Sequence, residues 1–163
     1  MIETTSLRSE HSQIQKHANL LSRAVMRPLP PDRLDLERIR RDFTMGVARH
    51  LNHEDAHVYP QLLESEDAAI RAIACRLIAE SGLLTTKFDA FCRRWGSAAI
   101  VADWSGFRYA SSELLALIER RMATEEYELY PLLDGDADDS RLAHWVGTTS
   151  PTRLQLRSAS ARR

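Results

Sequence analysis

The sequence has few cysteines and no long apolar run. Its two cysteines, Cys75 and Cys92, fall in one predicted helix, where seventeen residues at about 1.5 Å each separate them by roughly 25 Å. A disulfide needs Cα atoms within about 6.8 Å, so these thiols cannot pair within that helix. The longest apolar runs have five residues, as at residues 98–102, against roughly 18 for a membrane-spanning helix. We therefore expect neither a disulfide-built domain nor a membrane protein.

Glycine, proline and net charge are also low. The six glycines and six prolines cluster at a few breaks, whereas all-β chains place turn residues about every ten positions. The 22 basic and 23 acidic residues give a formal net charge of −1, which argues against a nucleic-acid partner. The N-terminal residues MIETTSLRSE lack the basic and apolar regions of a secretory signal, so we expect a cytoplasmic protein.

Hydrophobic periodicity predicts four amphipathic helices, in which apolar residues recur every three or four positions. Breaks and caps give their limits. The first helix ends before Pro28, and the second runs from Asp32 to Pro60, which kinks or ends it. The third runs from Asp67 to Gly96, and the fourth from about Asp103 to Pro131. Because the connections are short, we predict an all-α fold, an antiparallel up-down four-helix bundle with a short C-terminal extension.

The chain divides at residue 133 into two predicted parts. Residues 1–133 form the bundle, and residues 134–163 comprise an acidic loop, a short helix over residues 141–146 and a basic tail. The tail is rich in Ser, Thr and Arg and poor in apolar residues, so we expect it to stay mobile and solvated. Contact of the tail with a protein partner or an acidic surface is the alternative, and the oligomeric state is open.

The four helices repeat as two similar hairpins. A shift of 71 residues aligns the second helix with the fourth, and a shift of 70 aligns the first with the third. The aligned pairs include His11 with Ser81, His50 with Arg121, Glu54 with Glu125, and Tyr59-Pro60 with Tyr130-Pro131. We therefore interpret the bundle as two copies of one helical hairpin.

Six polar residues interrupt the apolar stripes and are predicted to point inward: His11, His50, Glu54, Ser81, Arg121 and Glu125. His50 and Glu54 lie one helical turn apart, so they face the same part of the core. Burying an unpaired imidazole or carboxylate costs several kcal/mol, so the site that these residues form must hold a group that compensates the imidazoles and carboxylates. A divalent cation does so, and imidazole with carboxylate and no thiolate favours iron, manganese or zinc.

Three motifs give the sequence a family resemblance. They are EH at Glu10-His11, HxxxE at residues 50–54 continuing as ED..VYP, and EE..LYP at residues 125–131. With them, residues 7–133 resemble the hemerythrin-like, or HHE cation-binding, domain family. The resemblance implies a helical bundle that holds a non-haem di-iron centre. It also implies that His11, His50 and Glu54 serve one iron, with Glu125 joining Glu54 as a bridging carboxylate.

The sequence departs from the family pattern at two positions. Ser81 stands where the family has its third-helix histidine, and Arg121 stands where the fourth helix would begin its HxxxE. Both missing ligands would belong to the same iron. A guanidinium is permanently protonated, binds no metal and repels a neighbouring cation. We therefore predict at most one metal ion, with Arg121 in place of the second.

His57 and Glu80 are candidate extra ligands. His57 lies seven residues after His50, on nearly the same helix face, and Glu80 borders Ser81. A surface role for His57 is the competing interpretation. The sequence contains no Ser-His-Asp triad, phosphate loop or dinucleotide motif, so we predict no catalytic residue.

Three hypotheses for function follow from this site. The first is a cation-binding protein that holds one ion, iron or alternatively zinc or manganese, and senses or handles iron, oxygen or nitric oxide. The second is a metal-free regulatory or interaction module in which Arg121 bridges Glu54 and Glu125. The third, an oxidase or hydrolase, requires an open coordination position and a substrate cavity. Neither is visible in the sequence, so we expect a binding protein more than an enzyme.

Overall fold

The structure is a computed structural model that describes residues 4–134. Within them the chain forms α1 (Thr4–Val25), α2 (Arg33–His53), α3 (Tyr59–Leu63), α4 (Ala68–Arg94), α5 (Ser97–Ala102), α6 (Trp104–Thr124) and α7 (Tyr130–Leu133). This part of the chain contains no β-strand, so the all-α prediction is confirmed. None of its helices has the length and apolar character that crossing a membrane requires. The acidic loop beyond Asp134, the short helix and the basic tail lie outside the described residues.

Aspartate side chains cap three of the long helices where the sequence predicts. Each carboxylate accepts a hydrogen bond from a backbone N–H in the first turn, and the three residues are Asp32, Asp67 and Asp103. Such caps satisfy N–H groups that have no partner inside the helix. The predicted starts of the second, third and fourth helices are therefore confirmed.

Two π-helical turns extend the long helices α2 and α6. The turn Glu54–Val58 joins α2 to α3, and the turn Glu125–Leu129 joins α6 to α7. In each turn, the N–H of the following tyrosine, Tyr59 or Tyr130, donates to the carbonyl of the glutamate five residues earlier. These wide turns follow no apolar period, so the sequence pattern did not predict them.

These turns correct the prediction that Pro131 ends the fourth helix and the alternative in which Pro60 ends the second. Each proline occupies the first turn of the α-helical segment that follows the π-helical turn. A residue there needs no backbone N–H donor, so proline does not interrupt the helix. The second helix therefore continues to Leu63 and the fourth to Leu133.

The helices pack as a four-helix bundle. Helix α1 packs against α2 and α6, while α4 packs against α3 and α6. The interior contains two apolar clusters. One, the aromatic cluster, includes Ile14, Phe43, Val47, Leu84, Phe91, Ile118 and Phe107. The other, the tyrosine cluster, includes Leu7, Val58, Tyr59, Leu77, Leu129 and Tyr130. Each fully buried leucine or phenylalanine stabilises the fold by roughly 1.5–3 kcal/mol.

A short helix that the periodicity did not predict, α5, connects α4 to α6. Its six residues are too few to show a helical period. Ile100 of α5 is buried and joins the aromatic cluster. Trp95 and Trp104 flank this connection, and their rings lie 5.6 and 5.7 Å from the ring of Phe107. These contacts close the end of the bundle that is farther from the polar residues.

Candidate metal centre

A layer of buried polar side chains separates the two apolar clusters. Along α1, for example, His11 lies between Leu7 of the tyrosine cluster and Ile14 of the aromatic cluster. The layer includes the six polar residues placed on the stripes: His11, His50, Glu54, Ser81, Arg121 and Glu125. All six are buried, as their positions in the apolar stripes predict.

Three donor atoms converge in this polar layer. Nε2 of His11 lies 3.1 Å from Nε2 of His50 and 3.1 Å from Oε2 of Glu125. Nε2 of His50 lies 3.5 Å from the same carboxylate oxygen. These donor atoms all lie within 4.8 Å of one another. Helix α1, helix α2 and the first residue of the second π-helical turn thus bring three of the four predicted ligands together.

Two further carboxylates contact the outer nitrogens of these imidazoles. Oε1 of Glu126 lies 2.8 Å from Nδ1 of His11, and Oε2 of Glu10 lies 2.9 Å from Nδ1 of His50. An Nδ1–H that donates to a carboxylate leaves the Nε2 lone pair free for a metal. The sequence assigned no role to either glutamate, although Glu10 directly precedes His11 and Glu126 directly follows Glu125. Adjacency to a predicted ligand is the signal in the sequence that could have identified them.

Glu54, the fourth predicted ligand, lies beside the three-residue group. It is 1% exposed, and neither carboxylate oxygen has a hydrogen-bond partner among the described residues. Its Oε2 lies 3.9 Å from His50 Nε2 and 3.8 Å from Arg121 Nη2. Burial, and then the charge of Glu125, raises the pKa of Glu54 to about 8. An unsatisfied buried carboxylate is a group that a bound cation would stabilise.

The pKa values of Glu125 and His50 shift in opposite directions. Burial disfavours ionised Glu125, but its contacts with His11 and His50 and the charge of Arg121 hold the pKa of Glu125 well below its usual range. Burial also disfavours protonated His50, but the hydrogen bond to Glu125 and the charges of Glu54 and Glu125 raise the pKa of His50 to about 9. Without a metal, a proton on His50 therefore balances carboxylate charge at neutral pH.

The Arg121 guanidinium occupies the other side of the polar layer. Its Nε donates to Glu125, its Nη2 donates to the hydroxyl of Tyr59, and its Nη1 donates to the carbonyl oxygen of Leu77 at 2.8 Å. Ser81, one turn after Leu77 on α4, is buried, and its hydroxyl has no hydrogen-bond partner among the described residues. A fixed positive charge thus lies where the family pattern places a histidine.

The hydroxyl of Tyr130 reaches the polar layer from α7. Its Oη lies 3.0 Å from His11 Nε2, and its ring stacks on the His11 imidazole with 5.4 Å between centroids. Burial, and then the charges of Glu125 and Glu54, raises the pKa of Tyr130 above its usual range. The internal repeat paired Tyr130 with Tyr59 but gave neither residue a place in the site.

The candidate extra ligands His57 and Glu80 lie outside this cluster, and His57 has the surface position of its competing interpretation. His57 is exposed, and its ring lies 5.7 Å from that of His53. His57 lies inside the π-helical turn Glu54–Val58, whose wider winding turns it off the inner face. Glu80 is exposed, with its Oε1 3.2 Å from Nη1 of Arg76. It lies about 100° around α4 from Ser81, which turns its side chain outward.

The donor set in the polar layer fits a divalent cation. Two imidazole nitrogens and one carboxylate oxygen converge, and the Glu54 carboxylate, which accepts no hydrogen bond from the described residues, lies next to them. Nitrogen and oxygen donors without sulfur suit iron(II), manganese(II) or zinc(II). A surface cleft between α1 and α6 includes His11, Met122 and Glu126 in its wall, so it approaches the outer edge of the donor set.

Comparison with models of known protein families identifies the domain. Residues 3–133 match the model of the hemerythrin HHE cation binding domain. A search of the curated proteins and a search of the solved structures each found no match. The matched region coincides with the helical bundle and contains every member of the polar layer.

Proposed function

Because the chain belongs to the hemerythrin HHE cation-binding family, we propose that it binds one divalent cation through His11, His50 and Glu125. Glu54 supplies a second carboxylate. The observation that supports this proposal most directly is the convergence of three buried donor atoms within 4.8 Å. The Glu54 oxygens support it independently, because burial without a hydrogen bond is unfavourable for a carboxylate.

Arg121 limits the proposed site to one ion. Its guanidinium contacts Glu125 and lies 3.8 Å from Glu54, so it already compensates part of their negative charge. With both glutamates ionised and one divalent cation bound, the chamber would have one net positive charge. A second divalent cation would raise that charge further, next to a guanidinium that cannot lose its proton. We therefore propose a mononuclear centre.

We propose iron as the ion, with zinc and manganese as alternatives that the same donors accept. Bound iron would act as a Lewis acid for a small ligand. The cleft beside His11 and Glu126 reaches the outer side of the His11 imidazole, and we propose that a diatomic molecule such as oxygen or nitric oxide enters from there. Sensing or handling of iron or of such a ligand is therefore the proposed role, in preference to oxygen carriage between two irons.

The metal content of the purified protein tests this proposal. The chain is expressed in separate media supplemented with iron, zinc or manganese, and elemental analysis measures ions per chain. We expect one ion in the wild type and loss of that ion in His50→Ala. The matched control is His57→Ala, which removes an exposed imidazole seven residues later and should retain the ion. Only trace metal from every medium would contradict the proposal.

The second candidate function is a metal-free regulatory or interaction module. The observation that favours it is the bonding of Arg121, which donates to three groups with no metal required. In that case, treatment with a chelator should change neither the helical content nor the melting temperature of protein expressed in iron-supplemented medium. If chelation lowers the melting temperature and iron restores it, the metal-free function is excluded.

A further inference from the structure

Two residues of α1 contact the ring of Tyr130. Tyr130 is fully buried, its ring stacks on His11, and the guanidinium carbon of Arg8 lies 5.0 Å from the ring centroid. The hydroxyl oxygen lies 3.0 Å from His11 Nε2. Because the ring is fixed in this way, the oxygen stays next to a nitrogen that faces the donor set.

The spacing around His11 Nε2 is that of neighbouring ligands on one small cation. This nitrogen lies 3.1 Å from His50 Nε2, 3.1 Å from Glu125 Oε2 and 3.0 Å from Tyr130 Oη. Ligand atoms about 2.1 Å from a metal ion and at right angles to one another are roughly 3.0 Å apart. The tyrosine oxygen is therefore spaced from His11 as the other two donor atoms are.

The π-helical turn brings Tyr130 onto the same helix face as Glu125. In a regular α-helix, residues five apart point about 140° away from each other. In this turn the N–H of Tyr130 donates to the carbonyl of Glu125, five residues earlier, so one full turn separates them. The Glu125 carboxylate and the Tyr130 phenol therefore reach the polar layer together, from one continuous helical segment.

The internal repeat provides an independent comparison. Tyr59, the repeat partner of Tyr130, follows the first π-helical turn in the same way. Its hydroxyl oxygen accepts a hydrogen bond from Arg121, the fixed cation of the other half of the chamber. In that half, the tyrosine oxygen thus contacts the positive charge. By the repeat, the Tyr130 oxygen would contact a cation bound at His11 and His50 as the Tyr59 oxygen contacts the Arg121 guanidinium.

From this geometry we infer that the phenolic oxygen of Tyr130 is a further donor atom to the cation bound by His11, His50 and Glu125. The inference rests on the proposed function. With ferric iron, the phenolic O–H bond breaks as the iron–oxygen bond forms, and the proton passes to the buffer. The donation itself involves no oxidation or reduction.

The ferric form of the protein tests this inference. Metal-free protein is loaded with ferrous iron under argon, oxidised with one equivalent of ferricyanide and desalted. Iron content and visible absorption are then measured on the same sample. Ferric phenolates absorb visible light by charge transfer from oxygen to iron, so we expect such a band in the wild type. Resonance Raman excitation within it should enhance tyrosine ring vibrations.

Two tyrosine variants assign the band. Tyr130→Phe should keep bound iron and lose the band, whereas the matched control Tyr59→Phe, at the repeat-related position, should keep both. The remaining tyrosines, Tyr109 and Tyr127, are exposed, so Tyr130 is the one buried tyrosine left in Tyr59→Phe. A band in that control therefore supports the inference even if Tyr130→Phe fails to fold.

The outcomes separate the two proposals. Bound iron in the wild type without a phenolate band overturns the role of Tyr130 and leaves the proposed cation site standing. A band that persists in Tyr130→Phe also overturns that role. Failure of the wild type to bind iron overturns the proposed iron site and the role of Tyr130 with it.

Discussion

Arg121 and Glu125 lie one helical turn apart, and Nε of the arginine donates to Oε1 of the glutamate. The other carboxylate oxygen, Oε2, faces His11 and His50. Glu125 therefore connects a fixed positive charge on one side with the pair of imidazoles on the other. Because Arg121 stabilises the ionised carboxylate, Glu125 stays ready to bind a cation when none is present.

Replacing Arg121 by alanine should destabilise the protein strongly. The substitution removes the charge that compensates Glu125 and leaves buried carboxylates without their cation, which should lower the free energy of unfolding by about 3–5 kcal/mol. Urea denaturation of metal-free protein measures this change. The matched control is Arg120→Ala, which removes the neighbouring exposed arginine and should change the free energy by less than about 0.5 kcal/mol. Equal effects of the two substitutions would contradict an internal role for Arg121.

The sequence was sufficient to predict the bundle and the inward-facing polar residues. Helical period and aspartate caps locate the long helices, and the stripe of α1 places His11 between apolar neighbours. The internal repeat then identified Arg121 as the residue at the position equivalent to His50. These predictions depend only on the spacing of residues along one helix, which can be read directly from the sequence.

The rest of the site depends on contacts that spacing along one helix does not show. Glu10 on α1 reaches His50 on α2, and Glu126 reaches back to His11. The π-helical turns add a further difficulty, because they change which residues share a face after Glu54 and Glu125. This change explains why His57 could be considered an extra ligand and why Tyr130 was given no place in the polar layer.

Replacing Glu10 by glutamine should weaken cation binding without unfolding the protein. The Glu10 carboxylate contacts Nδ1 of both His50 and His53, each at 2.9 Å. Loss of its charge makes His50 a poorer ligand, and changes of this kind typically reduce metal affinity by about 10–100-fold. Competition of the protein with a chromophoric chelator for zinc measures the affinity. Glu119→Gln, at an exposed position on α6, is the control, and a similar loss in it would contradict a specific role for Glu10.

The metal-free protein should lose stability as the pH rises from neutral. His50 has a pKa raised from 6.5 to about 9, so its stabilising contribution is complete below pH 6.5 and is lost as the pH rises through about 9. Glu54, with a pKa raised to about 8, acts in the same direction because its neutral form is favoured in the fold. Urea denaturation at pH 6.5 and at pH 9 measures the loss. His50→Gln should reduce this loss, and an unchanged pH dependence in that variant would contradict the assignment to His50.

Cation binding should show the opposite pH dependence. A metal competes with the proton on His50 and with the proton on Glu54, so its affinity should rise over the pH range in which these groups titrate, up to about 9. Isothermal titration of zinc at neutral pH in two buffers of different ionisation enthalpy measures the protons released. We expect at least one proton per ion bound. Binding without proton release would show that His50 is not a ligand.

Restoring the two missing ligands should create a second metal position. Ser81 and Arg121 both lie in the polar layer, on α4 and α6, and their side chains are buried. Ser81→His combined with Arg121→His removes the fixed positive charge and supplies two imidazoles, so the charge that opposes a second cation disappears. After loading with iron, we expect two ions per chain and the charge-transfer absorption of an oxo-bridged ferric pair. Ser81→His alone is the control and should still bind one ion, because the guanidinium remains. A double variant that binds no more iron than the wild type would show that Arg121 does not occupy the place of a second metal.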